Sequence, residues 1–285
     1  MTAPHGPSYD AETVPAPFAS KYIDCGGTTL HILHSGPTTL PDYLPALDRG
    51  ALFVLLHGGG RNAADWKRQL VGLSDRHSVL APDLPGHGRA PGVEGCSSIE
   101  AYADVVDRLT ATACPRCCVL VGWSMGCSVA LVEAARHPER YAGLVLMGGL
   151  PYWRPEPGAF DRVRDVVRGR LGQQFDTLLF SPATSMDVMR EAWMEQVKTD
   201  PRVFYGDLLA GAAFDGRPLL AKITMPTLLI HGADDKLVTE EAARAFAAGI
   251  AGAEVAVVPE AGHIALLEQP ERVNALLAAF AERVT

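Results

Sequence analysis

The stretch Cys117-Cys118-Val119-Leu120-Val121-Gly122-Trp123-Ser124-Met125-Gly126, running on into CSVALVEAAR over residues 127–136, decides the fold. Its first part is a short, nearly continuous apolar run, which reads as a strand buried on both faces. Its second part has helical spacing and no breaker. Between them lies Gly-x-Ser-x-Gly, residues 122–126. A serine on a sharp strand-to-helix turn is held in a strained backbone conformation, and flanking glycines relieve the clash that side chains would cause. The hydroxyl then stands at the C-terminal edge of a sheet, at the positive end of the following helix. Ser124 is therefore a candidate nucleophile.

Other apolar runs repeat the pattern on both sides: FVLLHG (53–58), SVLAPDL (78–84), AGLVLMGG (142–149), PTLLIHG (226–232) and AEVAVVPE (253–260). Helical patterns fill the gaps at 99–112, 239–250 and 271–283, the second opening at Thr239 with Glu240 and Glu241 in its first turn. Strands alternating with helices imply a doubly wound α/β sandwich. KYID (21–24) and TTLHILHSG (28–36), separated by Cys25-Gly26-Gly27, add an antiparallel pair at the start. Residues 1–20, with four prolines and few large apolar side chains, read as a flexible lead-in.

Residues 151–222 break the alternation with amphipathic helices predicted over 159–171 and 185–197. A third begins at Asp200-Pro201, a cap followed by proline at the first helical position. The segment reads as a helical insertion between two strands. It holds nine of the chain's twenty aromatic residues, enough both to build a small core and to line an apolar pocket. Trp153 and Trp193 are the expected ligand-facing pair, with Trp123 beside the serine and Gly60 also expected at the substrate.

A serine nucleophile needs a base, an acid to orient that base, and donors for the oxyanion. His263 follows the last strand run, at the sheet edge that Ser124 occupies. Gly232-Ala233-Asp234-Asp235 follows the run at 226–232, so either aspartate can orient the imidazole. Met125, next after the serine, offers one backbone N–H. The loop His57-Gly58-Gly59-Gly60 offers the second, from Gly59 first and Gly60 second, since glycine lets backbone approach a substrate closely. His5, His31, His34, His77 and His137 read as structural or surface residues.

The net charge of −8 argues against nucleic-acid and anionic-membrane partners, and no apolar run is long enough to span a bilayer. The N-terminus carries no secretory pattern. Cys114 and Cys117 form a CxxC without a second pair or a nearby histidine, so a zinc or redox site is not expected. Cys117 and Cys118 read as small core residues. The six cysteines fit a reduced, cytoplasmic setting.

Taken in order, HGGG (57–60) with Trp66, PDLPGHG (82–88), GWSMG (122–126), HGADD (231–235) and AGH (261–263) resemble the α/β-hydrolase superfamily over about residues 21–285. The resemblance implies an eight-stranded, mostly parallel sheet flanked by helices, a core of 21–150 and 223–285, and a helical cap at 151–222. It implies the triad Ser124, Asp235 and His263 in that chain order, with Asp235 favoured because the acid lies three residues after the motif glycine. His57 is then a support of the oxyanion loop, and neither metal nor organic cofactor is required. The pair DLPGHG and GWSMG resembles small capped carboxylesterases, including methyl esterases of acyl chains, and also carbon–carbon bond hydrolases. Hydrolysis of a carboxylic ester or thioester of a small to medium apolar molecule is the leading expectation. C–C bond hydrolysis with the same triad and a non-catalytic ligand sensor are the alternatives.

Overall fold

The computed structural model describes residues 18–37, 40, 43–92, 94–114, 117–155 and 158–285. The expected lead-in lies mostly outside the described residues, and strand β1 (Ala19–Asp24) begins two residues before the strand expected from Lys21. The chain continues through β2 (Thr29–His34), β3 (Leu52–Leu56), α1 (Lys67–Leu73), β4 (Ser78–Pro82), α2 (Ile99–Ala113), β5 (Cys118–Trp123), α3 (Met125–Arg136) and β6 (Tyr141–Met147). Then come α4 (Ala159–Val167), α5 (Met186–Gln196), α6 (Pro201–Ala213), β7 (Thr227–Gly232), α7 (Glu240–Ala248), β8 (Glu254–Val258), α8 (Ala265–Glu268) and α9 (Pro270–Val284).

The eight strands form one sheet in the order β1-β2-β4-β3-β5-β6-β7-β8. The first pair is the antiparallel hairpin, β2 joins β4 antiparallel, and every pairing from β4 to β8 is parallel. Every residue of β3, β4, β5 and β7 is buried, as strands covered on both faces require. Alternate residues point to opposite faces. Leu52, Val54 and Leu56 join the cluster beneath α2 and α3, while Phe53 and Leu55 join the one beneath α1 and α9. Each large apolar side chain buried this way contributes about 1.5–3 kcal/mol.

Parallel register brings the strand ends together. Leu56 pairs with Gly122, Trp123 with Met147 and Gly232 with Val258. The loops carrying Gly59, Ser124, Asp235 and His263 therefore all leave the same edge of the sheet.

Between β6 and β7 the described residues hold helices α4, α5 and α6 and no strand, apart from one bridge between Tyr152 and Asp215. The predicted helix over 159–171 stops at Val167. Gly169 adopts φ +67, and the N–H groups of Arg170 and Leu171 both turn back to the Asp165 carbonyl. Leu171, the last residue of the predicted helix, lies beyond this turn and is exposed. Cys117 differs from expectation in the same way: it is exposed, while Cys118 beside it is buried. Among the described residues no helix is long and apolar enough to cross a membrane.

Candidate active site

Ser124 sits at φ 53, ψ −117, one of two non-glycine residues with positive φ among those described. Such a conformation costs about 1–3 kcal/mol and persists only where the surroundings enforce it. Two close approaches do so here. A Cβ on Gly122 would stand 2.3 Å from the Gly126 carbonyl oxygen, and one on Gly126 would stand 2.5 Å from the Leu56 carbonyl oxygen. The strand-to-helix turn thus closes only with glycine on both sides of the serine. The Ser124 N–H donates to the Met147 carbonyl at 2.9 Å, fixing the turn to β6.

His263 approaches the serine from the loop after β8. Its Nε2 lies 3.1 Å from Ser124 Oγ and its Nδ1 lies 2.9 Å from Asp235 Oδ2. The loop is held from several directions. Trp123 Nε1–H donates to the His263 carbonyl, and the His263 N–H donates to the Leu179 carbonyl. Glu268 Oε1 accepts from the Gly262 and Ile264 N–H groups. The imidazole position is therefore set by backbone bonds as well as by its two side-chain partners.

The adjacent aspartates divide by partner. Asp235 is buried and turns Oδ2 to His263, while its Oδ1 accepts from the Leu237 and Val238 N–H groups at 2.8 and 3.0 Å. Burial pushes its carboxyl upward, but the His263 hydrogen bond and charge, with the two backbone N–H groups, outweigh burial and hold it below the usual carboxylate range. Asp234 instead accepts from Ser181 Oγ at 2.6 Å. The choice left open by the residues alone resolves to Asp235 by geometry.

His57 is occupied elsewhere. Its Nδ1–H donates to the Gly58 carbonyl at 2.8 Å, and its Nε2 accepts from the Leu84 N–H at 3.0 Å. Burial and then the neighbouring His87 push its pKa down to about 4, so the ring is neutral and braces the glycine loop.

A cavity of about 260 Å³ opens in front of Ser124. Gly59, Trp123 and Met125 line it from the sheet edge, and Trp153, Gln196, Phe204, Leu208 and Phe214 line it from the segment between β6 and β7. Two expected substrate contacts are corrected. Trp193 lies outside the cavity, its ring packed edge-on 5.8 Å from Phe175, and the α5 side chain in the lining is Gln196. Gly60 is also absent from the lining, and its N–H is already donated to Asp207 Oδ2 at 2.8 Å. That leaves Gly59 as the loop residue facing the space above Ser124.

The sequence reading missed Asp207, His87 and Arg61. Arg61 lies 5.7 Å over the Trp123 ring, pairs with buried Asp65 and donates to the Ala192 carbonyl. Asp207 bonds His87 and Tyr102 as well as Gly60. The partners of Asp207 all lie more than a hundred residues away in the chain, so no local pattern marks it.

A sequence profile described as the alpha/beta hydrolase family matches residues 53–276, and the chain belongs to that family. Within it, the chain is an ester-hydrolysing enzyme, as its relatives are. The pimeloyl-[acyl-carrier protein] methyl ester esterase of Nitrosospira multiformis is 28% identical over 257 residues, covering 84% of this chain and 97% of that protein. The esterase of the same name from Aromatoleum aromaticum is 31% identical, covering 79% and 95%. Among solved structures, a thermophilic esterase from Thermogutta terrifontis is 25% identical with a TM-score of 0.76, covering 94% of this chain and 98% of that one. The enol-lactonase from Burkholderia xenovorans LB400 is 25% identical with a TM-score of 0.77, covering 91% and 98%.

Proposed function

We propose that the chain hydrolyses a carboxylic ester with an apolar acyl part of small to medium size, through an acyl-enzyme on Ser124. The observation that carries this reading is the unbroken relay from Asp235 Oδ2 through His263 to Ser124 Oγ, with links of 2.9 and 3.1 Å, opening onto a largely apolar cavity. Ser124 Oγ attacks the ester carbonyl as its proton passes to His263 Nε2. Asp235 holds Nδ1–H and stabilises the imidazolium. The N–H groups of Met125 and Gly59 receive the oxyanion. The tetrahedral adduct collapses, and the alcohol departs with the proton from His263. Water, deprotonated by His263, then attacks the acyl-enzyme; the acid leaves and Ser124 regains its proton.

Residues 151–222 act as a cap on the core, contributing Trp153, Phe204, Leu208 and Phe214 to the wall of the cavity at the serine, where they would limit the access of bulk water. The esterase names of the relatives and the lactonase among the structural neighbours support C–O over C–C cleavage. A cytoplasmic location is supported by six free cysteines.

The test is turnover of p-nitrophenyl esters of increasing chain length, with dimethyl pimelate added as a carrier-free methyl ester because the named relatives are pimeloyl-[acyl-carrier protein] methyl ester esterases. Wild type should hydrolyse a subset, and folded Ser124→Ala should lose nearly all activity. Equal activity in the two proteins, or a folded wild type inert on the whole series, would overturn the reading.

A further inference from the structure

We infer that Asp207 is a positioning residue for the oxyanion loop, so that seating helix α6 on the core completes the active site. The inference deepens the esterase reading and rests on it.

Asp207 lies on α6, in the segment between β6 and β7, yet its carboxylate gathers three groups from the core. Oδ2 accepts from the Gly60 N–H at 2.8 Å and lies 2.8 Å from His87 Nε2. Oδ1 accepts from Tyr102 OH at 2.7 Å. In the loop it grips, the Gly58 carbonyl is held by His57 Nδ1–H and the Arg61 N–H, while the Gly60 N–H is held by Asp207. Gly58, Gly59 and Gly60 offer no side chains, and Gly60 sits at φ +66. In a glycine run a peptide plane can rotate at small cost. Pinning the Gly60 N–H to Asp207 fixes the plane next to the one that carries the Gly59 N–H.

Steric contact from the same helix points the same way. A Cβ on Gly59 would stand 3.3 Å from Asp207 Cβ, and one on Gly60 would stand 2.6 Å from Phe204 Cδ2. Phe204 and Asp207, three apart on α6, are neighbours on one helix face, and together they clamp the loop from above.

The carboxylate is itself held in place. His87 lies with Nδ1 3.0 Å from the Pro85 carbonyl and Nε2 2.8 Å from Asp207 Oδ2, and the two side chains are 0% and 2% exposed. One buried carboxylate thus ties the glycine loop, α6 and the turn at Pro85 together.

The experiment compares kcat and KM for one p-nitrophenyl ester, and inhibition by an alkyl trifluoromethyl ketone, which forms an oxyanion on the serine. The proteins are wild type, Asp207→Ala, Asp207→Asn, Tyr102→Phe and Ser124→Ala. Loss of one oxyanion donor costs about 10²–10³ in kcat, so Asp207→Ala should lose about a hundredfold in kcat and in ketone affinity while KM moves less than about threefold. Asp207→Asn keeps an oxygen for the Gly60 N–H and should recover most of that loss. Tyr102→Phe removes a bond to the other oxygen, and should lower Tm while losing only a small part of what alanine loses in kcat. Asp207→Ser, too short to reach Gly60, carries the test if the alanine variant does not fold. Folded Asp207→Ala or Asp207→Ser with kcat within threefold of wild type overturns the inference. A rise in KM alone, or equal loss in the alanine and asparagine variants, does the same. If Ser124→Ala remains active, the esterase reading itself has failed; if it is inactive while Asp207→Ala is unaffected, only the positioning role has.

Discussion

Replacing Asp235 by asparagine keeps the shape of the side chain and changes one hydrogen-bond direction, and the surrounding bonds set the size of the effect. Asp235 Oδ1 accepts from two backbone N–H groups, of Leu237 and Val238. The only oxygen of an asparagine would stay with those two donors, turning its NH₂ toward His263 Nδ1. Nδ1 must then accept, the ring hydrogen moves to Nε2, and Nε2 can no longer take the proton from Ser124. Restoring the productive tautomer requires flipping the amide, which leaves two N–H groups without an acceptor at about 1–3 kcal/mol each. A total of about 2–6 kcal/mol corresponds to about 30-fold to 10⁴-fold in kcat at 1.36 kcal/mol per decade. We therefore expect Asp235→Asn to lower kcat on p-nitrophenyl butyrate by about two to four decades, with Tm little changed. Asp234→Asn, which touches only the Ser181 contact, should stay within about threefold. The reasoning is refuted if Asp235→Asn keeps more than about a fifth of wild-type kcat, or if Asp234→Asn proves the more damaging.

Two further expectations concern stability and specificity. His57, pushed down to about 4 by burial and then His87, stays neutral while the unfolded chain protonates near 6.5. Stability is therefore full above about pH 6.5 and falls as pH drops toward 4; this residue contributes about 2 kcal/mol of the loss between pH 7.5 and 5. Urea unfolding at those two pH values should show a loss smaller by about that amount in His57→Gln, and parallel losses in variant and wild type would contradict it. At Gly211, a Cβ would meet Trp153 Cε3 at an ordinary 3.7 Å, so Gly211→Leu fits the helix and extends into the cavity. The kcat/KM ratio of p-nitrophenyl octanoate to butyrate should fall about fourfold per methylene excluded, at about 0.8 kcal/mol each; an unchanged ratio would place the acyl chain elsewhere.

Much of this was legible because it is local. The runs at 53–58, 117–123 and 226–232 announced β3, β5 and β7 through continuous burial, and Gly122 and Gly126 announced the elbow through the space that they leave. The place of β4 between β2 and β3 was not legible, since each run reports its own burial and not its neighbour. The helix at 159–171 was read too long because its apolar spacing continues past Gly169, where the backbone turns left-handed. Trp193 was misplaced for a related reason. Spacing identifies the apolar side of α5, but whether that side meets the cavity or Phe175 depends on how the helix is rotated against the rest. Asp207 was illegible altogether: a buried aspartate in an amphipathic helix gains meaning only from Gly60, His87 and Tyr102, which the fold brings to it.

The proposed mechanism turns on a covalent intermediate on Ser124. Rapid acid quench of the protein during turnover of a p-nitrophenyl ester, followed by peptide mass mapping, tests it most directly. One acyl mass increment is expected on the peptide containing Ser124, absent from Ser124→Ala together with turnover. Steady turnover with no acyl group on that peptide, and undiminished turnover by Ser124→Ala, would contradict it.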